Sequence, residues 1–386
     1  MRKLIGRLSP ILFGLALIGA SAAPAEATGL RFTQISTGEE YVCGVTQRGD
    51  VYCTGDNSYG KLGDGTDDDR DTWVKVSTTQ RFAKVFAGYE HTCGITVRGT
   101  AYCWGENGDG NLGDGTNDDR FTPVQVLGLR GVLDLALTTE NSTCAVTTRG
   151  TYCWGDNGDG NLGDGSEDDS AYPVKVAGTA RFTNIAAQED FTCALTTRGN
   201  AQCWGDNDYS DSSQLGIGSL TPAESSVPLN VLGGLRFKDL VVGSDAACGL
   251  TARGEVYCWG EDDGGSIGGA SVDDGNLAAP QKVLGGIRFA SLTQAGGEDH
   301  FCALSTRGTA YCWGENYDGQ LGTGNDVDSE SQGALKVEGG LRFSMISVNE
   351  YLSCGLTARG QVWCWGDYAG GTLHDGEDSY VPALVE

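Results

Sequence analysis

Residues 93–120 read CGITVRGTAYCWGENGDGNLGDGTNDDR, from Cys93 to Arg120. A Cys-initiated strand leads into the turn Val97-Arg98-Gly99. A second strand ends in Cys103-Trp104-Gly105, and a loop rich in Gly and Asp follows. The pattern is written seven times, and the first cysteines of successive units lie 50, 51, 49, 55, 54 and 52 residues apart. A period near 50 built from short β-like runs reads as propeller blades or a β-solenoid. Helical repeats are excluded on content. No window sustains a 3.6-residue period, and Gly makes up 61 of 386 residues, far above ordinary usage.

Each unit holds four strand-sized runs. In the second they are strand a, 81–87; strand b, 92–96; strand c, 100–104; and strand d, 123–126. A three-residue hairpin loop puts its last residue, here Gly99, in the left-handed conformation as part of a G1 bulge. That register sets Cys93 opposite Cys103, at the cross-strand distance a disulfide needs. The same spacing predicts bridges Cys43–Cys53, Cys193–Cys203, Cys248–Cys258, Cys302–Cys312 and Cys354–Cys364. The third pair, Cys144–Cys153, is one residue closer, which asks for a tighter turn. Such an even, regular set in an exported chain reads as a disulfide framework, and C-x9-C does not resemble a zinc site.

Strand alternation turns Trp104 to the face opposite Cys103, and Trp154, Trp204, Trp259, Trp313 and Trp365 likewise. Stacked blades would then set the indole of one against the cystine side of the next. The first unit carries Thr54 instead, which predicts the weakest seam there.

The N-terminus has Arg2, Lys3 and Arg7, a short apolar run from Leu8 to Ala20, and Ala25-Glu26-Ala27. That is a secretory signal with cleavage after residue 27, too short to span a bilayer. Residues 28–386 form the repeat domain, with units at about 30–79, 80–128, 129–179, 180–234, 235–286, 287–340 and 341–386. The expected destination is the periplasm, the cell surface or the medium. The formal net charge is −26, and removing the signal takes away three basic residues and one acid. So acidic a chain repels nucleic acid and anionic membrane and attracts basic partners or cations.

Strands running alternately up and down place the a–b turns and c–d loops at one end, and the b–c turns and d–a connectors at the other. Of the 51 acids after residue 27, 45 fall in the a–b turns and c–d loops, among them Glu39, Glu90, Asp64, Asp114 and Asp164. Fourteen arginines, such as Arg98 and Arg130, fall at the other end. Carbonyl bonding at the blade ends is a structural use for many of them.

The loops also invite a Ca2+ reading through Asp114, Asp159 and Asp164, with oxygen ligands at alternate positions. The EF-hand pattern fails, since Leu162 stands where Gly is needed and Asp168 where a bidentate Glu is needed. Catalytic signatures are thin. His91 and His300 share one repeat slot and read as satisfied turn residues, and no nucleophile elbow or triad order occurs. A hydrolase or lyase borne on the loops is the remotest reading.

Units four to six carry longer c–d loops than units one to three. Loops on a rigid scaffold carry binding. The expected partner contacts are Tyr209, Asp211, Asp262, Asp263, Asp273, Tyr317, Asp318, Asp326 and Tyr368, with the tyrosines as amphipathic anchors.

The run Gly105-Glu106-Asn107 to Leu112-Gly113-Asp114-Gly115, followed by Pro123-Val124-Gln125-Val126, resembles the repeats of the regulator of chromosome condensation family. Ala87 to Cys93 and Gly297 to Cys302 resemble them too, and the likeness covers residues 30–386. It implies an all-β, closed seven-bladed propeller of four-stranded antiparallel blades, one disulfide per blade. It also implies that Val381 to Val385 zips onto the first unit. The founding member is an exchange factor for a small GTPase, and none of its contact residues maps onto this chain. The chain is distantly similar to the secreted bacterial β-lactamase inhibitor protein II, which binds an enzyme through a propeller face. The expected function is an exported, monomeric, non-enzymatic scaffold without cofactor that binds a basic protein. A Ca2+-ordered structural module is the alternative.

Overall fold

The computed structural model describes residues 29–139, 141–207, 213–262, 265–269, 276–283, 285–293, 300–327, 333–367 and 379–385. Seven four-stranded antiparallel sheets follow one another along the chain, each with its strands in sequence order. In blade two they are Phe82–Ala87, His91–Thr96, Ala101–Gly105 and Arg120–Gln125. Strand d begins at Arg120, three residues earlier than the Pro123 expected from sequence, because Gly105 pairs with Arg120 beyond an irregularity after Cys103. Pro123 is tolerated inside this strand because strand d is the free outer edge of the blade.

The hairpin register is the one the Gly turn imposes. Cys93 pairs with Cys103 and Thr92 with Trp104, while Thr96 N–H donates to Thr100 O across the turn. Counting back in alternation from that bonded pair puts the cystine in the non-hydrogen-bonded slot, where the strands approach most closely. All seven bridges join strands b and c of one blade, with Cα atoms 4.0–4.1 Å apart. In blade three Thr147 pairs with Gly150, so the turn shrinks to Thr148-Arg149 and the bridge still closes.

The core lies between blades. Trp104 shares its cluster with Cys43 and Cys53 of blade one, and Trp154 with Cys93 and Cys103 of blade two. Trp204 and Trp259 repeat the arrangement against the cystines of blades three and four, and these four, with Trp313 and Trp365, are fully buried. The indole N–H donates to a loop carbonyl of the preceding blade, Trp104 to Lys61 O at 2.9 Å and Trp154 to Asn111 O at 2.8 Å. Gly63 lets the indole in, since a Cβ there would lie 2.6 Å from Trp104 Nε1. Between blades seven and one, Cys354 and Cys364 pack with Phe32, Ile35 and Val42, and Trp73 from strand d supplies the aromatic surface.

The closure differs from the expectation. The last strand, Ser379–Leu384, pairs with Val362–Gly366 inside blade seven and does not zip onto the first unit. Blade one already has its own fourth strand, Arg70–Lys75, so no slot is open. The ring shuts by side-by-side contact instead. Phe32 N–H donates to Gly360 O at 3.1 Å, and Thr37 N–H to Ser347 Oγ at 2.9 Å.

Candidate functional site

Strand a is the innermost strand of each blade, and its free edge faces the central channel. Unpaired edge groups need partners, and side chains of the neighbouring blade supply them. Gln34 Oε1 accepts from Val85 N–H at 2.9 Å, Ser36 Oγ from Ala87 N–H at 2.9 Å, and Asp239 Oδ2 from Leu292 N–H at 3.2 Å. Lys84 Nζ, at the slot of Gln34, reaches Asp134 Oδ1 at 2.9 Å. Burial pushes the Asp134 carboxyl up despite that partner.

The c–d loops are built around one buried asparagine. Asn107 is fully buried; its Nδ2 donates to Thr116 O and Asp118 O, and its Oδ1 accepts from Leu112 N–H. Asp119 accepts from Asn107 N–H at 3.0 Å. Asn57 and Asn157 repeat the knot. Asp114 Oδ1 accepts from the Thr116 N–H and hydroxyl, and Oδ2 from Arg120 Nε at 2.8 Å. Burial works to raise this carboxyl, but the Thr116 and Arg120 bonds outweigh it and hold it below the usual range. Asp164 accepts from Ser166 in the same way, at 2.8 and 2.7 Å. Asp114 and Asp164, two of the three carboxylates read from sequence as cation ligands, are therefore engaged in shaping the loop, and among the described residues no three acidic, His or Cys side chains form a metal-sized group. Asp159 is half-buried.

The expected partner contacts divide. Tyr209, Asp211, Asp263, Asp273 and Tyr368 lie outside the described residues. Asp262 takes the slot of the loop asparagine, and its Oδ1 accepts from Ile267 N–H at 3.1 Å. Tyr317 is 67% exposed, Asp318 is half-buried and Asp326 exposed. Sequence reasoning missed a second set of exposed aromatics. Tyr59, Phe121, Tyr172 and Tyr380 stand in the c–d loops or at the start of strand d, on blades one, two, three and seven. Their signal was present, since strand d opens at the loop end and alternates along a free edge. Asp67, Asp68, Asp118 and Asp168 are exposed beside them.

The three cations within these loops are spent locally. Arg70 Nε bonds Asp64 Oδ2 at 2.8 Å, Arg120 bonds Asp114, and Lys61 Nζ sits 2.6 Å from Asp56 with its side chain buried. At the opposite end, Arg288 Nη1 donates to Arg253 O and Arg342 Nη1 to Arg307 O, which is the carbonyl-bonding use expected of them.

His91 and His300 open strand b and are not turn residues. Both are fully buried. His91 Nε2 meets Thr143 Oγ1 of the next blade at 2.9 Å, and His300 Nε2 meets Ser353 Oγ at 3.0 Å. Burial depresses each ring to about 3, so both are neutral packing groups.

A cavity of about 230 Å³ opens in the channel at the end carrying the a–b turns. Glu39, Tyr89, Thr139, Gln188 and Glu350 stand at its mouth, over walls that include Ile35, Phe86 and Leu137. The Tyr89 hydroxyl hydrogen-bonds Glu39, and that bond, with burial, pushes the phenol up.

Comparison with known proteins places this architecture. Two models described as Regulator of chromosome condensation (RCC1) repeat match the chain, one at residues 32–61, 82–111, 182–210, 237–265 and 295–320, the other at 48–95, 98–142 and 150–195. Together they cover more than half of it. The Ultraviolet-B receptor UVR8 of Arabidopsis thaliana is 32% identical over 178 residues, 45% of this chain and 40% of the receptor. The matched stretch thus spans less than half of that relative's length. Prp20p from Saccharomyces cerevisiae, whose crystal structure was described with its binding to Gsp1p and histones, superposes with a TM-score of 0.70 at 18% identity, covering 82% of this chain and 80% of Prp20p. Yeast RCC1 (Prp20) bound to Kap60 gives 0.74 at 20% identity, over 99% and 91%. With seven blades in sequence order and the repeat matched along most of the ring, the chain belongs to the regulator of chromosome condensation (RCC1) repeat family.

Proposed function

We propose that this chain is an exported, monomeric scaffold that works by binding, and that it docks a basic protein on the propeller end where the a–b turns and c–d loops emerge. The observation that carries this reading is the strand order. Four antiparallel strands in sequence order send both kinds of connection to one end, and those connections hold most of the acids of the chain. Asp67, Asp68, Asp118 and Asp168 are exposed there, while Lys61, Arg70 and Arg120 are each held by a carboxylate. A single-signed surface of this kind speeds encounter and selects partners of opposite charge. Tyr59, Phe121, Tyr172 and Tyr317 add aromatic anchors. The histone binding described for Prp20p is a family precedent for a basic partner. Export is supported by the signal-like pattern of residues 1–27 and by seven disulfides, which persist in oxidising compartments. Action by binding alone is supported by the burial of His91 and His300 and by the engagement of Asp64 and Asp114 in loop bonds.

The test is association with purified core histones at about 50 and about 200 mM salt, for the wild type and for a variant carrying Asp67→Asn, Asp68→Asn, Asp118→Asn and Asp168→Asn. Binding should weaken at least about tenfold in the variant and fall with salt. Association indifferent to both changes would overturn the reading.

A further inference from the structure

The central cavity lies where the inner strands leave room. A void that merely relieved packing would be lined by apolar side chains throughout. This one has apolar walls, Ile35, Leu137 and Ile346 among them, under a mouth that carries two carboxylates, Glu39 and Glu350. Glu39 is half-buried; burial pushes its carboxyl up, against the bond from Tyr89 and the pull of Lys61. Lys61 offsets that charge only in part, since its ammonium lies 2.6 Å from Asp56. Gln188 gives an independent sign. It is 3% exposed, it lines the cavity, and its Nε2 has no hydrogen-bond partner among the described residues. The hydroxyl of Thr139, also in the lining, has none either. Buried polar atoms without partners are exceptions that call for an explanation, and a ligand is one.

We propose that this cavity binds a small amphipathic amine, its ammonium between Glu39 and Glu350 and its hydrocarbon body against the apolar walls. The volume sets the scale. A cavity of about 150 Å³ takes benzene, so about 230 Å³ holds a phenyl ring with a short arm. The charge at the mouth fixes the sign of the head group, because a carboxylate brought beside Glu39 and Glu350 would be repelled. Gln188 and Thr139 offer hydrogen bonds to a hydroxyl or carbonyl next to the ammonium. This site is separate from the exposed loop carboxylates and does not depend on protein docking there.

Three probes of one shape test it: phenethylamine, 2-phenylethanol and 3-phenylpropanoate, titrated by calorimetry and ligand-observed NMR into the full oxidised chain. Phenethylamine should bind, the alcohol about tenfold or more weakly, as the loss of one charge-assisted hydrogen bond implies, and the carboxylate not at all. Glu39→Gln, or Glu350→Gln should the first variant fail to fold, should bring the amine down to the alcohol. Thr139→Trp should block both. The proposal is overturned if no probe binds, if all three bind alike, or if a folded Glu39→Gln chain keeps its preference for the amine.

Discussion

Replacing Trp154 by Ala tests whether indole-on-cystine packing holds neighbouring blades together. The side chain is fully buried and belongs to a cluster made chiefly of blade two and three residues, Cys93, Cys103, Leu112 and Val126 included. Truncating a buried Trp removes its transfer free energy and leaves a cavity, about 3–5 kcal/mol together. The hydrogen bond to Asn111 O at 2.8 Å adds about 1 kcal/mol. No orphan is created, because Asn111 O still accepts from Thr143 Oγ1 at 3.0 Å. The expected loss is therefore about 4–6 kcal/mol. Thr54→Ala, at the seam without an indole, removes a methyl and one bond to Arg70 O and should cost about 1–2 kcal/mol. Urea unfolding with disulfides intact gives both numbers. Hydrogen exchange gives the location, and amides of blades two and three should lose protection together. If Trp154→Ala costs no more than Thr54→Ala, or if protection falls in blade three alone, the seam is not what couples the blades.

The buried histidines make stability depend on pH. Each has a folded value of about 3 against an unfolded value near 6.5, so protonation favours the unfolded chain. Their contribution is complete above about pH 6.5 and is lost as pH falls toward 3, by about 3 kcal/mol per ring at pH 4. His91→Phe, which copies Phe191 of blade four, should flatten the urea-midpoint profile between pH 7 and 4 relative to wild type; parallel profiles would refute this. Asn107→Ala removes three loop-core hydrogen bonds and should cost about 3 kcal/mol by thermal unfolding. A loss under about 1 kcal/mol would show that the loop is held by other means. Arg120→Gln should cost less than about 1 kcal/mol, since the Arg120 side chain is 34% exposed, yet should move the Asp114 carboxyl upward in an NMR titration. An unmoved Asp114 would mean that Thr116 alone holds it.

Much of the ring was legible because its determinants are local. A three-residue turn ending in Gly99 dictates a register, the register dictates which cysteines face, and alternation sends Trp104 the other way. Each step uses neighbours within a dozen residues. Closure was not legible, because the ladder between Cys364 and Ala383 is chosen by whether blade one lacks a strand, a fact about the other end of the chain. The role of the loop acids was also hidden. Asp114 and Asp118 look alike in the sequence, but the first is bound by Thr116 and Arg120 while the second is exposed. The channel mouth was beyond local reading, since Glu39, Gln188 and Glu350 come from three blades and nothing short-range brings them to one cavity.

The position of that cavity bears on how the ring holds together. Every covalent crosslink lies within a blade, so none of them opposes separation of neighbours. The seams alone do that. Six of them have a fully buried indole, and the seam between blades seven and one has Trp73, half-buried and 4.5 Å from Phe32. This seam is also where the two ends of the repeat domain meet, so opening it requires no break in the chain. Thr37, Ser347 and Asn349 line the cavity and bond across the same seam, Thr37 to Ser347 and Asn349 to Gly38. An amine seated between Glu39 of blade one and Glu350 of blade seven would bind the closed ring and not the open one. By mass action it would then stabilise closure by an amount that rises with the logarithm of its concentration above Kd, so a ligand held in this cavity would act directly on the seam that can open without breaking the chain.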